Sequence, residues 1–240
     1  MRYPTSASSE RSATVCRIWD TEFFIQSEDR KEDEFTSLSE RASKTIGKVK
    51  TRDQYIEKVC EEWLDVRTFG QVFAFKGDSV SVGVRGPVSI HPAVSVSPVD
   101  IQSVLITKSV NGEPGYKKTA DTMGMKHFVR FGLYLIKGSI NVQLAEKTGF
   151  TEEDAQTVKE CLRTLFVNDS SSARPDGFME VIRVYWWKHI CRDGQYSSAK
   201  VHKPVTVKPN EGVVIPTSAE DYTVTVDSLP ELDLEVIEGM

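Results

Sequence analysis

The residues of this chain best suited to chemistry are basic side chains set beside glycines. Arg67 precedes Phe69-Gly70, Arg85 opens Arg85-Gly86-Pro87, Lys117 and Lys118 are adjacent, and Thr122-Met123-Gly124 runs into Lys126-His127. A glycine lets backbone N–H groups approach a phosphate closely, and Lys or Arg supplies the charge. The chemistry such turns support is recognition of a polyanionic backbone. Taken singly, each also fits an ordinary hairpin turn with solubilising charges.

Bond-breaking chemistry has no comparable signal. The chain has no Walker-type phosphate loop, no G-x-G-x-x-G after a strand, no H-E-x-x-H and no G-x-S-x-G. Its four histidines, at 91, 127, 189 and 202, are scattered, and no carboxylate pair stands out. The cysteines at 16, 60, 161 and 191 form no C-x-x-C pair and have no histidine at zinc spacing. They are expected to be free thiols, with Cys60 and Cys161 on apolar helix faces. No metal and no cofactor is expected, and the chain is not read as an enzyme.

The charge distribution sharpens the picture. Net charge is −5, which alone argues against a nucleic-acid binder. Residues 1–40 carry −4 and residues 219–240 carry −7, so the body between them is +6. A basic body can serve phosphates locally while acidic ends keep the whole in solution. No apolar run approaches the roughly 20 residues needed to span a bilayer, and the N-terminus has no apolar signal region. The expected location is the cytoplasm, with no membrane partner.

The elements that must position these residues follow from periodicity. Residues 1–16 are Ser/Thr-rich and expected to be disordered, 18–26 could be one strand, and the charge run 27–35 reads as a solvated loop or the start of a helix. Thr51 with Gln54 caps a helix over 51–64. Residues 65–75 and 80–90 read as strands around a turn at 76–79, the second interrupted at Gly86-Pro87. Strands are predicted at 99–110 and 128–142, with a polar loop at 111–121 between them. The segment 151–166 is the clearest helix, capped by Thr151 and Asp154, with Ala155, Val158, Leu162, Leu165 and Phe166 on its buried stripe. A loop at 168–177 leads to a strand at 178–190, apolar on both faces and so central, and 221–226 is the last predicted strand. Two helices with a mostly antiparallel sheet make an α+β sandwich, in a split βαβ, ferredoxin-like arrangement that is also the RNA-recognition fold.

Five blocks in order carry a resemblance: DVRTFG (65–70), VRGPVSI (84–90), TMGMKH (122–127), LAEKTGFTEED (144–154) and ARPDGFM (173–179). Together they resemble the crRNA-binding backbone subunit of the type I-C CRISPR Cascade effector, over about residues 60–190, with a weaker echo in LPELDLEVIE (229–238). The resemblance implies a modified RNA-recognition fold with additional strands and an inserted thumb. It implies a core over 51–228, a thumb near 105–121 carrying Lys108, Lys117 and Lys118, and an acidic tail over 229–240. It also implies several copies stacked along one guide RNA in antiviral defence, with other Cascade subunits as partners and target DNA reached through guide pairing.

By position, Arg67, Arg85, Lys126 and His127 would touch the RNA backbone, Thr122 and Gly124 would shape the loop, and Met123 would wedge against a base or ribose. Lys117, Lys118 and Arg174 complete the expected RNA-binding set. Met125 stands where the family usually has a basic or polar residue. Ser170 stands where an arginine is usual. The family also opens with a strand, an Asn-Pro-Asn-Gly-Asp-type loop and a basic helix. Residues 1–50 match none of these, so the chain is expected to be short at its N-terminus by several tens of residues. Two other functions stay open on the residues alone. One is a metal-independent ribonuclease with His127 as general base, and the other is a structural protein-interaction module.

Overall fold

The computed structural model describes residues 23–26, 31, 33–75, 81–107 and 123–240. Its first unit draws on residues 1–89, 138–196 and 230–240, and its second on 90–137 and 197–229. Both mix short helices with antiparallel strand pairs, so the fold class is α+β, as expected. Among the described residues the strands form six two-stranded ladders, at least five of them antiparallel.

The first unit opens with three helices, α1 (Leu38–Ile46), α2 (Arg52–Glu62) and α3 (Leu64–Phe69). Ser37 caps α1 by accepting from the Glu40 N–H, and Thr51 caps α2 by accepting from the Gln54 N–H. The ladder of β1 (Gly70–Phe73) with β2 (Val82–Arg85) follows. Next come β3 (Val88–Ile90), paired with β8 (Gly138–Ile140), and then α4 (Val142–Thr148) and α5 (Glu152–Arg163). The unit closes with β9 (Arg183–Trp187) against β12 (Leu234–Glu238).

Its core is aromatic. Phe24 is fully buried, with its ring centroid 4.7 Å from that of Trp63 and 5.0 Å from that of Phe73. Val59, Cys60, Val66, Val82 and Val84 close around them. A smaller cluster of Val88, Ala145, Phe150 and Val158 lies under α4 and α5. Phe24 is held from both sides. Its N–H donates to the Asp65 carboxylate at 2.9 Å, and its carbonyl accepts from Arg41. Arg41 is itself 4% exposed and bonds Asp33 at 2.6 and 2.9 Å. The Arg41 hydrogen bond pulls the Asp33 pKa below its ordinary value. Asp33, read from sequence as part of a solvated charge run, is therefore the counter-ion of a buried arginine.

The second unit is built on hairpins. β4 (Val94–Ser95) pairs with β7 (Tyr134–Leu135), and β5 (Ile101–Thr107) with β6 (Met123–Val129). A one-turn helix α6 (Ser198–Val201) precedes β10 (Val205–Pro209), which pairs with β11 (Tyr222–Val226).

Several predicted elements differ. The strand over 65–75 begins as α3, because Asp65 accepts N–H groups at the helix start and Gly70, at φ +85°, ends it. The long strand over 128–142 is divided into the end of β6, β7 and β8. The segment 178–190 shortens to β9, which is not central: its ladder has one neighbour, β12. The acidic closing segment is that neighbour, not a tail. Glu235 bonds Lys159 at 2.6 Å and Glu238 bonds Arg183 at 2.8 Å.

Phe24 fills the centre of the first core from a segment that contributes little else to it. Phe24→Ala is expected to cost about 3–5 kcal/mol of stability. Urea unfolding followed by tryptophan fluorescence measures this, since Trp63 is its direct neighbour.

Candidate nucleic-acid interface

The five sequence blocks have different structural roles. DVRTFG is buried or half-buried except for Phe69, which is 56% exposed. Asp65 accepts from Phe24, Ile25 and its own neighbour Val66, at 2.9, 2.9 and 3.0 Å. Val66 and Thr68 are each 1% exposed. Arg67 forms a two-pronged ion pair with Asp154, Nε to Oδ2 at 3.1 Å and Nη2 to Oδ1 at 2.8 Å. The same Asp154 carboxylate accepts from the Thr151 N–H at 2.8 Å and completes the capping box of α5. Burial opposes the charge on Asp154. The Arg67 fork and the Thr151 N–H outweigh it and hold the pKa below its ordinary value.

Gly70 and Gly86 explain why DVRTFG and VRGPVSI occur together. A side chain on Gly70 would overlap the Val84 carbonyl, and one on Gly86 would overlap the Thr68 carbonyl. The two backbones cross too closely for any Cβ, and Gly70 pairs with Arg85 at the end of the ladder. Arg85 is exposed there, the outermost residue of β2. These two glycines serve a backbone crossing.

The described part of TMGMKH, from Met123, lies in a strand. Lys117, Lys118, Thr122 and Lys108 fall outside the described residues. From Met123 onward the chain is β6, with Thr107 opposite Met123, Ile106 opposite Gly124 and Val104 opposite Lys126. Gly124 therefore sits mid-strand, where a Cβ would rest 3.4 Å from the Ile106 side chain. Strand alternation puts Met123, Met125 and His127 on one face and Gly124 and Lys126 on the other. The Lys126-His127 pair thus serves two surfaces. His127 Nδ1 lies 2.8 Å from Ser103 Oγ, its cross-strand partner, with both exposed. No carboxylate or metal-holding group joins this pair among the described residues.

Arg174 bonds Asp169 at 3.0 Å and is half-buried, and its Nε is buried with no acceptor among the described residues. Other basic residues of the first unit are likewise paired: Lys188 with Glu152 at 2.7 Å, Arg192 with Glu146 at 2.5 Å, and Lys159 with Glu235 while lying 5.0 Å from the Trp186 ring centre. The pairs within residues 41–218 are already counted in the +6, and Lys159–Glu235 and Arg183–Glu238 bring acidic charge from the C-terminal segment onto it. Burial pushes the Cys60 thiol up to about 11 and raises Cys161, so both are structural thiols.

The family model described as "CRISPR-associated protein Cas7" matches residues 7–227. The chain belongs to the Cas7 family. The match takes in residues 7–50, which the five blocks left out. No curated protein matches this chain. Among solved structures, a chain described as "CRISPR RNA-guided surveillance complex, pre-nicking" is similar over 62% of this chain and 41% of its own length, with 20% identity and a TM-score of 0.37. No helix among the described residues is long and apolar enough to cross a membrane.

Sequence reasoning missed Asp65, Asp33 and Arg41. The signal for Asp65 was its place one residue after a buried Leu64, where a carboxylate suits a helix N-terminus. Asp154 was found as a cap, but its long-range partner was not.

Asp154 is depressed, so its ionised form stabilises the fold above the unfolded pKa, and that stability is lost as pH falls through the folded one. Asp154→Asn is expected to cost about 3 kcal/mol at pH 7 by leaving Arg67 unpaired. It is also expected to flatten the loss of stability that wild type shows below about pH 3.8, the ordinary value. Thermal unfolding of both proteins between pH 2 and pH 7 checks this.

Proposed function

We propose that this Cas7-family chain is a non-catalytic crRNA-binding backbone subunit of a type I-C Cascade effector. Several copies stack along one guide RNA and hold its sugar-phosphate backbone, leaving bases to pair with target DNA in antiviral defence. The family match over residues 7–227 carries this reading. Backbone contact makes the binding sequence-independent, and repeated head-to-tail contact makes an open filament.

Within this reading the RNA-facing set is Arg85, Lys126 and His127, exposed at strand positions, with Met123 at the outer end of β6. Lys117, Lys118 and Thr122 belong to the connection between β5 and β6, the place of the thumb. Gly124 keeps its strand neighbour Ile106 close. Arg67 and Arg174 act by holding the fold, through Asp154 and Asp169. The ribonuclease alternative has no partner acid for His127 among the described residues, and the basic residues favour RNA over a purely structural module.

The test is binding to single-stranded RNA across a range of salt concentrations. Each phosphate contact contributes about 0.7 to the slope of log K against log salt. Arg85→Ala and Lys126→Ala are each expected to lower the slope by about that amount for any RNA sequence. Wild type that binds no RNA in the presence of its partner subunits, or that cleaves it, overturns the proposal.

A further inference from the structure

The second unit carries an apolar knob and an apolar socket, each without an occupant among the described residues. The knob is the loop between β10 and β11. Val214 is 91% exposed and Ile215 is 71% exposed. This loop is braced. The Asn210 N–H donates to the Asp221 carbonyl at 2.8 Å, and Asn210 Nδ2 donates to the Glu220 carbonyl at 2.7 Å. Thr223 Oγ1 donates to Asn210 Oδ1 at 2.6 Å. The Asp221 carboxylate accepts the N–H groups of Thr217 and Ser218 at 2.6 and 3.0 Å. Pro216 restricts the backbone of Ile215 from the other side. Bracing the two ends of the loop backbone meets part of the ordering cost of binding in advance.

The socket is a cavity of about 550 Å³ along the β4–β7 ladder. Pro92, Val94, Val96 and Leu135 make its apolar lining, and His91 and Lys137 its polar groups. The His91 N–H donates to the Lys137 carbonyl at 2.7 Å, which fixes that edge. The charges are complementary: Glu211 lies three residues before Val214, and Lys137 borders the socket. Neither Glu211 nor Lys137 has an ion-pair partner among the described residues.

We propose that the Val214-Ile215 knob of one copy docks into the His91–Lys137 socket of the next, so that a second copy of this chain is the occupant. The inference rests on the proposed stacking of copies and names its contact. Knob and socket are different surfaces, so the contact is heterologous and extends instead of closing into a pair. Glu211 beside Lys137 would set the register, and the aliphatic pair would supply the affinity.

The test uses the full chain without RNA, in sedimentation velocity over a concentration series. The knob variant is Val214→Asp with Ile215→Asp, and the socket variant is Val94→Asp, at a position 66% exposed. Burial of a Val or Ile is worth about tenfold or more in an equilibrium constant. Wild type is expected to self-associate, and each variant alone to do so about tenfold or more weakly. Mixing the two variants is expected to restore one-to-one pairs, because each keeps the half the other lacks. Circular dichroism confirms that both remain folded. A wild type that stays monomeric, a variant that assembles like wild type, or a folded mixture that fails to pair overturns the inference. A short single-stranded RNA run in parallel separates this from the RNA-binding reading: failure of wild type to bind it sinks that reading, while the sedimentation result still decides the contact.

Discussion

The first unit depends on a carboxylate meeting a guanidinium across 87 residues of chain. Arg67 ends a six-residue helix too short to hold itself together by propensity. Asp154 caps a helix of 12 residues. Their fork joins the aromatic core to the smaller core under α5, because each residue is anchored locally before it reaches across. Arg67 also reaches the Cys60 carbonyl at 3.4 Å, and Asp154 also holds Thr151. An ion pair with 18% and 9% of its side chains exposed gains little over well-packed apolar residues, but it fails badly if one partner is removed. It therefore acts as a register device: only one placement of α5 on α3 satisfies both groups.

The same economy explains the charge pattern. The chain has a basic body and acidic ends, which suggests a phosphate-binding surface. The structure pairs Lys159 and Arg183 with Glu235 and Glu238, drawing part of the acidic C-terminal segment onto the basic body. These pairs are mostly exposed, and each contributes modestly. Their larger effect is subtraction. A cation facing a fixed carboxylate offers less field to a passing phosphate.

That second unit shows how a small unit manages limited core. Its β5–β6 hairpin exposes Ile101, Val104, Leu105, Ile106, Met123 and Met125. Two strands alone bury little, so side chains on both faces stay open to a partner. By contrast, the β10–β11 loop is tied at its ends by side-chain hydrogen bonds.

Local signals in the sequence determined much of what is seen. Thr51 and Thr151 start helices where expected, because a capping side chain satisfies N–H groups three residues away. Gly86-Pro87 breaks a strand pair, because proline cannot donate to a ladder. The α+β class and the five ordered blocks were legible for the same reason: each is a short-range pattern. What only the tertiary structure decided is which block does what. DVRTFG looks like a strand leading to a basic turn, yet it forms a helix whose arginine is taken by Asp154. TMGMKH looks like a turn, yet from Met123 it is a strand that sends Lys126 and His127 to opposite faces. Both outcomes depend on partners far along the chain, Asp154 for one and the 101–107 strand for the other. No window of neighbouring residues contains that information, because ion pairs and strand registers are chosen by the whole packed fold.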